Sequence, residues 1–246
     1  AIVLPKSFKS ALIPYWAGIP KRTGWHGEAR VLVQNDRRRL DPERYPLMIE
    51  LFMALALPAV APLPRPYPKP RLETDAEAAR ALAGRFRLET GDVTVLCPGA
   101  EFGPAKRWPP KHFAALARAE IGRGRPVWLL GSPGDVAACD EIAALAGDGV
   151  TNLAGRTTLL EAVDLIALAE RVVCNDSGLM HIAAALDRRL VAVFGSTSPD
   201  FTPPLGERST VLQNEIECSP CFQRQCPLGH MKCLETLMPE QVIEVL

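Results

Sequence analysis

The sequence has no net charge: 28 lysines and arginines balance 28 aspartates and glutamates over 246 residues. That excludes a chain-wide field of the kind that gathers nucleic acid, so any anionic partner has to be met by a local group of basic residues. There is also no apolar run of membrane-spanning length and no secretory leader, and a soluble, cytoplasmic chain is the expectation. Three motifs are missing as well. No Gly-x-Gly-x-x-Gly follows the first strand of the second half and no Gly-Lys-Ser/Thr loop occurs, which disfavours dinucleotide dehydrogenases and P-loop NTPases. No Asp-x-Asp pair stands ready for a catalytic metal. The first residue is not methionine, and the chain opens at once in a strand-like run, Ala1-Ile2-Val3-Leu4. It reads as beginning partway through a domain.

What is present is an alternation of strands and helices, the mark of parallel sheets covered by helices. The length suits one large or two modest domains. Residues 1–57 predict strands at 1–4, 23–25 and 31–34 with helices near 8–17 and 45–56, too few strands for a complete sheet, so the lobe reads as incomplete. Pro58, Pro62, Pro64, Pro66, Pro68 and Pro70 forbid helix or central strand over 58–70, which reads as a semi-rigid linker holding two lobes apart across a cleft. Residues 71–235 predict a helix at 75–85 and then repeated βα units. Their strands lie at 93–97, 126–131, 151–153, 171–174, 190–194 and 209–212, with helices at 111–121, 134–146, 159–169 and 179–186. A last helix falls within 236–246.

If these strands are parallel, the loops after Cys97, Gly131, Leu153, Cys174 and Phe194 share one sheet edge, where open α/β folds bind ligands. The fourth loop, Asn175-Asp176-Ser177-Gly178 before Leu179-Met180-His181, is a strand-to-helix junction that gathers free N–H groups for an anion. Taken alone it is equally readable as an N-cap at Asp176 beside a bystander histidine. The first loop, running from Pro98 and Gly99 to Lys106 and Arg107, offers close backbone approach and a mobile charge suited to a diphosphate. Ser132 in the second loop has a hydroxyl able to face a ribose or base. In the third, Thr158 and Glu161 have capping-box spacing. The fifth, Gly195-Ser196-Thr197-Ser198, is small enough to line a pocket without filling it.

Seven cysteines divide into two groups. Cys97, Cys139 and Cys174 sit in apolar contexts and are expected in the core. Cys218-x2-Cys221-x4-Cys226-x6-Cys233 has spacing that could wrap a structural zinc or an iron–sulfur cluster, with His230 as a fifth candidate ligand. Free thiols and disulfides stay open beside it.

Asp176-Ser177-Gly178-Leu179-Met180-His181, Lys106-Arg107-Trp108-Pro109, Leu4-Pro5-Lys6-Ser7-Phe8-Lys9 and Arg22-Thr23-Gly24-Trp25 together resemble the ADP-heptose:lipopolysaccharide heptosyltransferases, over nearly the whole chain. The tail from Cys218 to Cys233 adds to the likeness. The resemblance implies a GT-B fold of two Rossmann-like lobes, the N-terminal one incomplete here. It implies an inverting transfer of heptose from ADP-heptose to the phosphorylated glycolipid of the lipopolysaccharide inner core, at the cytoplasmic face of the inner membrane, with no catalytic cofactor. Carried over, Lys106, Asp176 and His181 are the expected catalytic groups. Gly99, Lys106, Ser132, Thr157, Asp176, Ser177, Gly178, Leu179 and His181 are the expected donor contacts, with Thr157 near the adenosine. Lys6, Lys9, Arg22 and Arg30 are candidates for acceptor phosphates. The family's general base, an aspartate on a glycine-rich loop, has no counterpart among these residues, so ADP binding is expected to exceed turnover. A nucleotide-sugar 2-epimerase of the same architecture and a non-catalytic nucleotide-binding fragment are the alternative readings.

Overall fold

Every strand pairing in the molecule is parallel, so each successive strand is reached by a crossover and the sheets carry helices. The computed structural model describes residues 1–246. They fall into two units, each with its own sheet.

The first unit is Ala1–Pro68 together with Asp200–Pro203. Its sheet has the order β1-β2-β3, from β1 (Ile2–Val3), β2 (Thr23–Trp25) and β3 (Asp36–Arg38). Helix α1 (Phe8–Trp16) is capped by Ser7, whose hydroxyl accepts the Ser10 N–H at 3.3 Å. Helix α2 (Met48–Ala56) buries Leu51, Ala54 and Leu55 in a core with Trp25 and Tyr45. It starts later than position 45 because Pro46 disfavours helical geometry at Tyr45.

The strand expected at 31–34 is a 3-10 turn, Arg30–Leu32, and the third strand is β3 instead. Arg30 explains the turn. Its guanidinium is 1% exposed and donates to the carbonyls of Gly27 at 3.1 Å, Pro5 at 3.0 Å and Trp25, tying the loop inward.

Residues 58–70 carry no helix or strand, but most of them lie against the first unit rather than standing free. Leu63 packs on the Trp25 core, Arg65 pairs with the buried Glu50, and Arg44 donates to the carbonyls of Val60 and Ala61. Asp200–Pro203 joins the same unit, where the Phe201 carbonyl accepts the Met48 N–H at 2.9 Å.

The second unit, Lys69–Pro199 with Pro204–Leu246, holds a six-stranded sheet of order β6-β5-β4-β7-β8-β9. Helix α3 (Ala76–Arg85) leads into β4 (Thr94–Cys97), α4 (Pro110–Gly122), β5 (Val127–Leu129), α5 (Val136–Ala146) and β6 (Val150–Asn152). Then come α6 (Leu159–Leu168), β7 (Arg171–Asn175), α7 (Gly178–Ala185), β8 (Arg189–Phe194) and β9 (Ser209–Gln213), followed by α8 (Lys232–Glu235) and α9 (Pro239–Val245).

Alternation along each strand sorts side chains to two cores. Val95, Cys97, Val172 and Cys174 face Leu165, Ile166 and Met180, while Leu96, Val127 and Val173 face Trp108, Phe113 and Leu116. Each such side chain contributes ~1.5–3 kcal/mol when fully buried. Below the sheet's working edge, the fully buried Glu120 accepts from Thr94 at 2.7 Å, Arg123 at 2.6 Å and Arg125 at 3.1 Å. Burial pushes its carboxyl up, but these donors outweigh burial and leave it below the usual range. No helix is long and apolar enough to cross a membrane.

Candidate functional site

The strand order reverses beside β4. From there the chain moves outward through β5 and β6, then returns to place β7, β8 and β9 on the other side. The loops after β4 and β7 therefore part at the switch point, which opens a crevice at the carboxyl ends of the strands. A cleft of about 410 Å³ lies there.

Four strand-end loops wall the cleft. Gly99, Ala100 and Glu101 come from the first, Gly131, Ser132, Pro133 and Asp135 from the second, Thr157, Thr158 and Leu159 from the third, and Ser177, Gly178 and Leu179 from the fourth. Ala162 and Ile182 add apolar surface from α6 and α7. Gly99 has a steric reason to be glycine, because a Cβ there would stand 2.4 Å from Asp135 Oδ2. That carboxylate is itself fixed, accepting from Ser132 N at 2.9 Å and Ser132 Oγ at 2.7 Å, with Arg107 at 3.4 Å on its other oxygen. Thr158 caps α6, accepting from Glu161 N at 3.3 Å while its own N–H reaches Glu161 Oε2 at 2.8 Å.

Beyond Ser177 lies the charged end of the site. Lys106 Nζ is 2.5 Å from Asp176 Oδ2, the two side chains being 13% and 5% exposed. The Thr197 hydroxyl donates to the same oxygen at 2.6 Å. Asp176 is thus not the cap of α7. Ser177 holds that position, and its side chain makes no capping bond, so the first-turn N–H groups of α7 have no side-chain partner. Asn175, wholly buried, locks the two loops together: its amide donates to Pro98 O at 2.7 Å and its Oδ1 accepts the Trp108 N–H at 3.0 Å. Lys106 also rests over the Phe102 ring at 4.9 Å. His181 is exposed on α7, yet partial desolvation pulls its pKa below 6.5, with nearby Lys106 acting in the same direction and Asp176 against it.

Of the residues read from the sequence as donor contacts, Gly99, Ser132, Thr157, Ser177, Gly178 and Leu179 line the cleft. Lys106 and Asp176 form the adjoining charged pair, with His181 near both. The fifth loop does not line the cleft; Ser196, Thr197 and Ser198 are buried, and Thr197 serves Asp176. Nothing in an Asn or Thr near a strand end marks its partner across 21 to 77 residues, so the sequence does not single out Asn175 or Thr197; for Asp135 the available signal is the local capping-box spacing from Ser132.

Lys6 and Lys9 are exposed in the first unit. Arg30 is a correction: it is buried with its donors on three carbonyls, so an acceptor phosphate has no access to it. Arg22 is also largely committed, donating to Val33 O at 2.7 Å and to Ile19 O, with its guanidinium over Tyr15.

Cys97, Cys139 and Cys174 are buried in the core, and burial drives the Cys139 thiol up to about 12. Cys218, Cys221, Cys226 and Cys233, all unbonded, line one cavity of about 180 Å³ with His230, Ser196 and Ala105. As placed, no group of three or more His, Cys, Asp or Glu side chains is arranged to hold an ion.

The sequence pattern of glycosyltransferase family 9 (heptosyltransferase) matches residues 1–232. Lipopolysaccharide heptosyltransferase 2 of Salmonella typhimurium is 45% identical over 256 residues, an alignment that covers all of this chain and 74% of the relative. Lipooligosaccharide heptosyltransferase 2 of Haemophilus influenzae is 42% identical over 259 residues, covering 100% and 75%. The solved structure of E. coli ADP-heptose LPS heptosyltransferase II matches with a TM-score of 0.91 at 44% identity, covering all of this chain and 74% of that one. With the fold shared over the whole of this chain and the family pattern running through residues 1–232, the chain belongs to glycosyltransferase family 9, the heptosyltransferases.

Proposed function

We propose that the chain transfers heptose from ADP-heptose to the inner core of lipopolysaccharide, with inversion, the second unit taking the donor and the first the acceptor. The observation that carries this reading is the Lys106 ammonium held beside the uncapped N-terminus of α7 at the sheet's switch point. A diphosphate leaving group gathers charge as the glycosidic bond breaks, and a lysine with a set of helix N–H donors is suited to stabilise it. Adenosine would occupy the cleft walled by Gly99, Ser132 and Thr157. Both bonds to Asp176 fall on Oδ2, leaving Oδ1 as an acceptor for a sugar hydroxyl. His181 would stand at the sugar end.

Lys6 and Lys9 are the exposed cations for acceptor phosphates in this reading. Because the acceptor is a membrane glycolipid, the chain would work in peripheral contact with the cytoplasmic face of the inner membrane. The chemistry requires no cofactor, and a bound ion would have a structural place in the cysteine-lined loop. Calorimetric titration with ADP, UDP and GDP, alongside transfer from ADP-heptose to heptose-deficient core acceptor, is the test. Selective ADP binding with transfer supports the reading. Equal affinity for the three nucleotides, or transfer from a UDP-sugar instead, would overturn it.

A further inference from the structure

The segment 218–233 is built onto the donor site from behind. Arg224 presents its carbonyl to the Ala105 N–H at 3.1 Å, and the Gly103 backbone passes so close that a Cβ there would lie 2.4 Å from that same oxygen. Phe222 N donates to Ser196 O, and Ser219 Oγ donates to Gly195 O at 2.7 Å. The segment thus grips the loop carrying Lys106 on one side and the loop carrying Thr197 on the other, the two groups that hold Asp176.

Apolar anchorage of this segment is confined to its end, where Met231 and Cys233 reach the core beside Leu234. Phe222 and Leu228 are 55% and 60% exposed, and the segment has no regular structure before α8. Four thiols share one cavity there, none in a disulfide, with the buried Ser196 hydroxyl in the same lining and without a partner. Gly229, at φ +69°, turns the chain back after Cys226, its N–H donating to Cys226 O at 3.2 Å, and so brings Cys226 and Cys233 to the same cavity.

We infer that Cys218, Cys221, Cys226 and Cys233 close around one thiophilic divalent cation, zinc in the first instance, and that this ion fixes the Arg224 carbonyl on which the Lys106 loop rests. The sulfurs reach it by rotating into the cavity they already line, and each thiol releases its proton to solvent as it binds. The ion would hold the part of the segment that the core does not reach, as in other small structural metal loops. Arg224 and Lys232 lie within the segment to offset the excess charge of four thiolates. His230 is left over, with its Nδ1 accepting the Lys232 N–H at 3.1 Å.

The 246-residue chain, purified without chelator, should carry about one zinc per chain, released by a mercurial thiol reagent. Protein stripped of metal should take up one equivalent of Co²⁺ with a thiolate-to-cobalt absorption band, and Cys226→Ser should lose both. One equivalent of iron released by the same reagent supports the site and changes only the ion. No metal, no Co²⁺ band and four freely titrating thiols, or two disulfides, would overturn it. If Cys226→Ser does not fold, the Co²⁺ titration of the native chain decides. The link to the donor loop rests on the ADP reading above: stripping should weaken ADP binding roughly tenfold, the size expected when support behind a binding group is lost. Unchanged ADP affinity in stripped protein would break that link and leave the donor reading intact, whereas ADP binding to neither form would sink the donor reading without touching the metal site.

Discussion

Replacing Lys106 with methionine separates the two roles given to its ammonium. The lysine lies 2.5 Å from Asp176 Oδ2 in a pair whose side chains are 13% and 5% exposed. Taking one partner from a buried ion pair costs about 3–5 kcal/mol, because the other charge is left without compensation. The Thr197 hydroxyl, 2.6 Å from the same oxygen, stays in place, so the lower end, about 3 kcal/mol, is the expected loss of stability in the second unit. ADP affinity should fall separately, since a charge-assisted contact to phosphate is worth about 1.5–3 kcal/mol, or roughly 10- to 150-fold. Adding Asp176→Asn removes the stranded charge while keeping an oxygen for Thr197. The double variant should therefore regain at least half of the stability, and of the ADP affinity only the part that repulsion by the stranded carboxylate had cost, leaving it below the wild type. Urea unfolding followed by fluorescence of the buried Trp108 and Trp128, with calorimetric ADP titration, measures both. A Lys106→Met variant with the wild-type urea midpoint, or with wild-type ADP affinity, would refute the reasoning.

Gly99→Ala should push the Asp135 carboxylate off its bonds to Ser132, destabilising the second unit by about 1–3 kcal/mol and weakening nucleotide binding; an alanine variant with native melting and ADP affinity would contradict this. Arg30→Leu should strip the carbonyls of Gly27, Pro5 and Trp25 of their donor and cost the first unit about 2–3 kcal/mol, seen in its unfolding transition, while ADP titration of the folded variant stays unchanged. Glu120 has a pKa held below its ordinary 4.5 in the fold, so its contribution is complete above about pH 4.5 and is lost as pH falls through the folded value. Glu120→Gln should lower stability at pH 7 by about 3 kcal/mol and flatten the acid limb of the melting-temperature profile; an acid limb of unchanged slope would show that Glu120 is not its source.

The parallel βα architecture of the second unit was legible because its strands are continuous apolar runs and its helices are separated by short, glycine-bearing loops. Those signals are local, and they persist whatever the chain packs against. The loops that meet at the cleft were legible for the same reason: a helix N-terminus and a lysine at strand ends are read from neighbouring residues. What escaped was long-range. Arg30 looks like any surface arginine until the carbonyls of Pro5, Trp25 and Gly27 are brought around it, and that convergence turned an expected strand into a 3-10 turn. Asp200–Pro203 belongs to the first unit through a backbone bond to Met48, which no periodicity announces. Thr197 became part of the site only because β8 lies next to β7 and sets its loop beside Asp176.

The diphosphate site proposed above contains a buried carboxylate, which needs its own explanation, since two unit charges 4 Å apart repel by about 4 kcal/mol at an effective dielectric constant near 20. A lysine free to swing would lose about 2 kcal/mol of rotamer entropy on ligand binding, and Asp176 with Thr197 removes much of that cost before the ligand arrives. One of the three ammonium hydrogens goes to Asp176, which leaves two for phosphate oxygens. The repulsion that remains is eased when a hydroxyl donates to Asp176 Oδ1, and a sugar-linked diphosphate brings hydroxyls to that end where ADP alone does not. Asp176 should therefore favour the intact donor over the product. Asp176→Asn is expected to bind ADP as well as or better than the wild type while its preference for an ADP-sugar over ADP falls by roughly tenfold, the loss of one charge-assisted hydrogen bond. Parallel calorimetric titrations with ADP and an ADP-sugar measure that ratio, and a ratio unchanged by the substitution would mean that Asp176 only anchors Lys106.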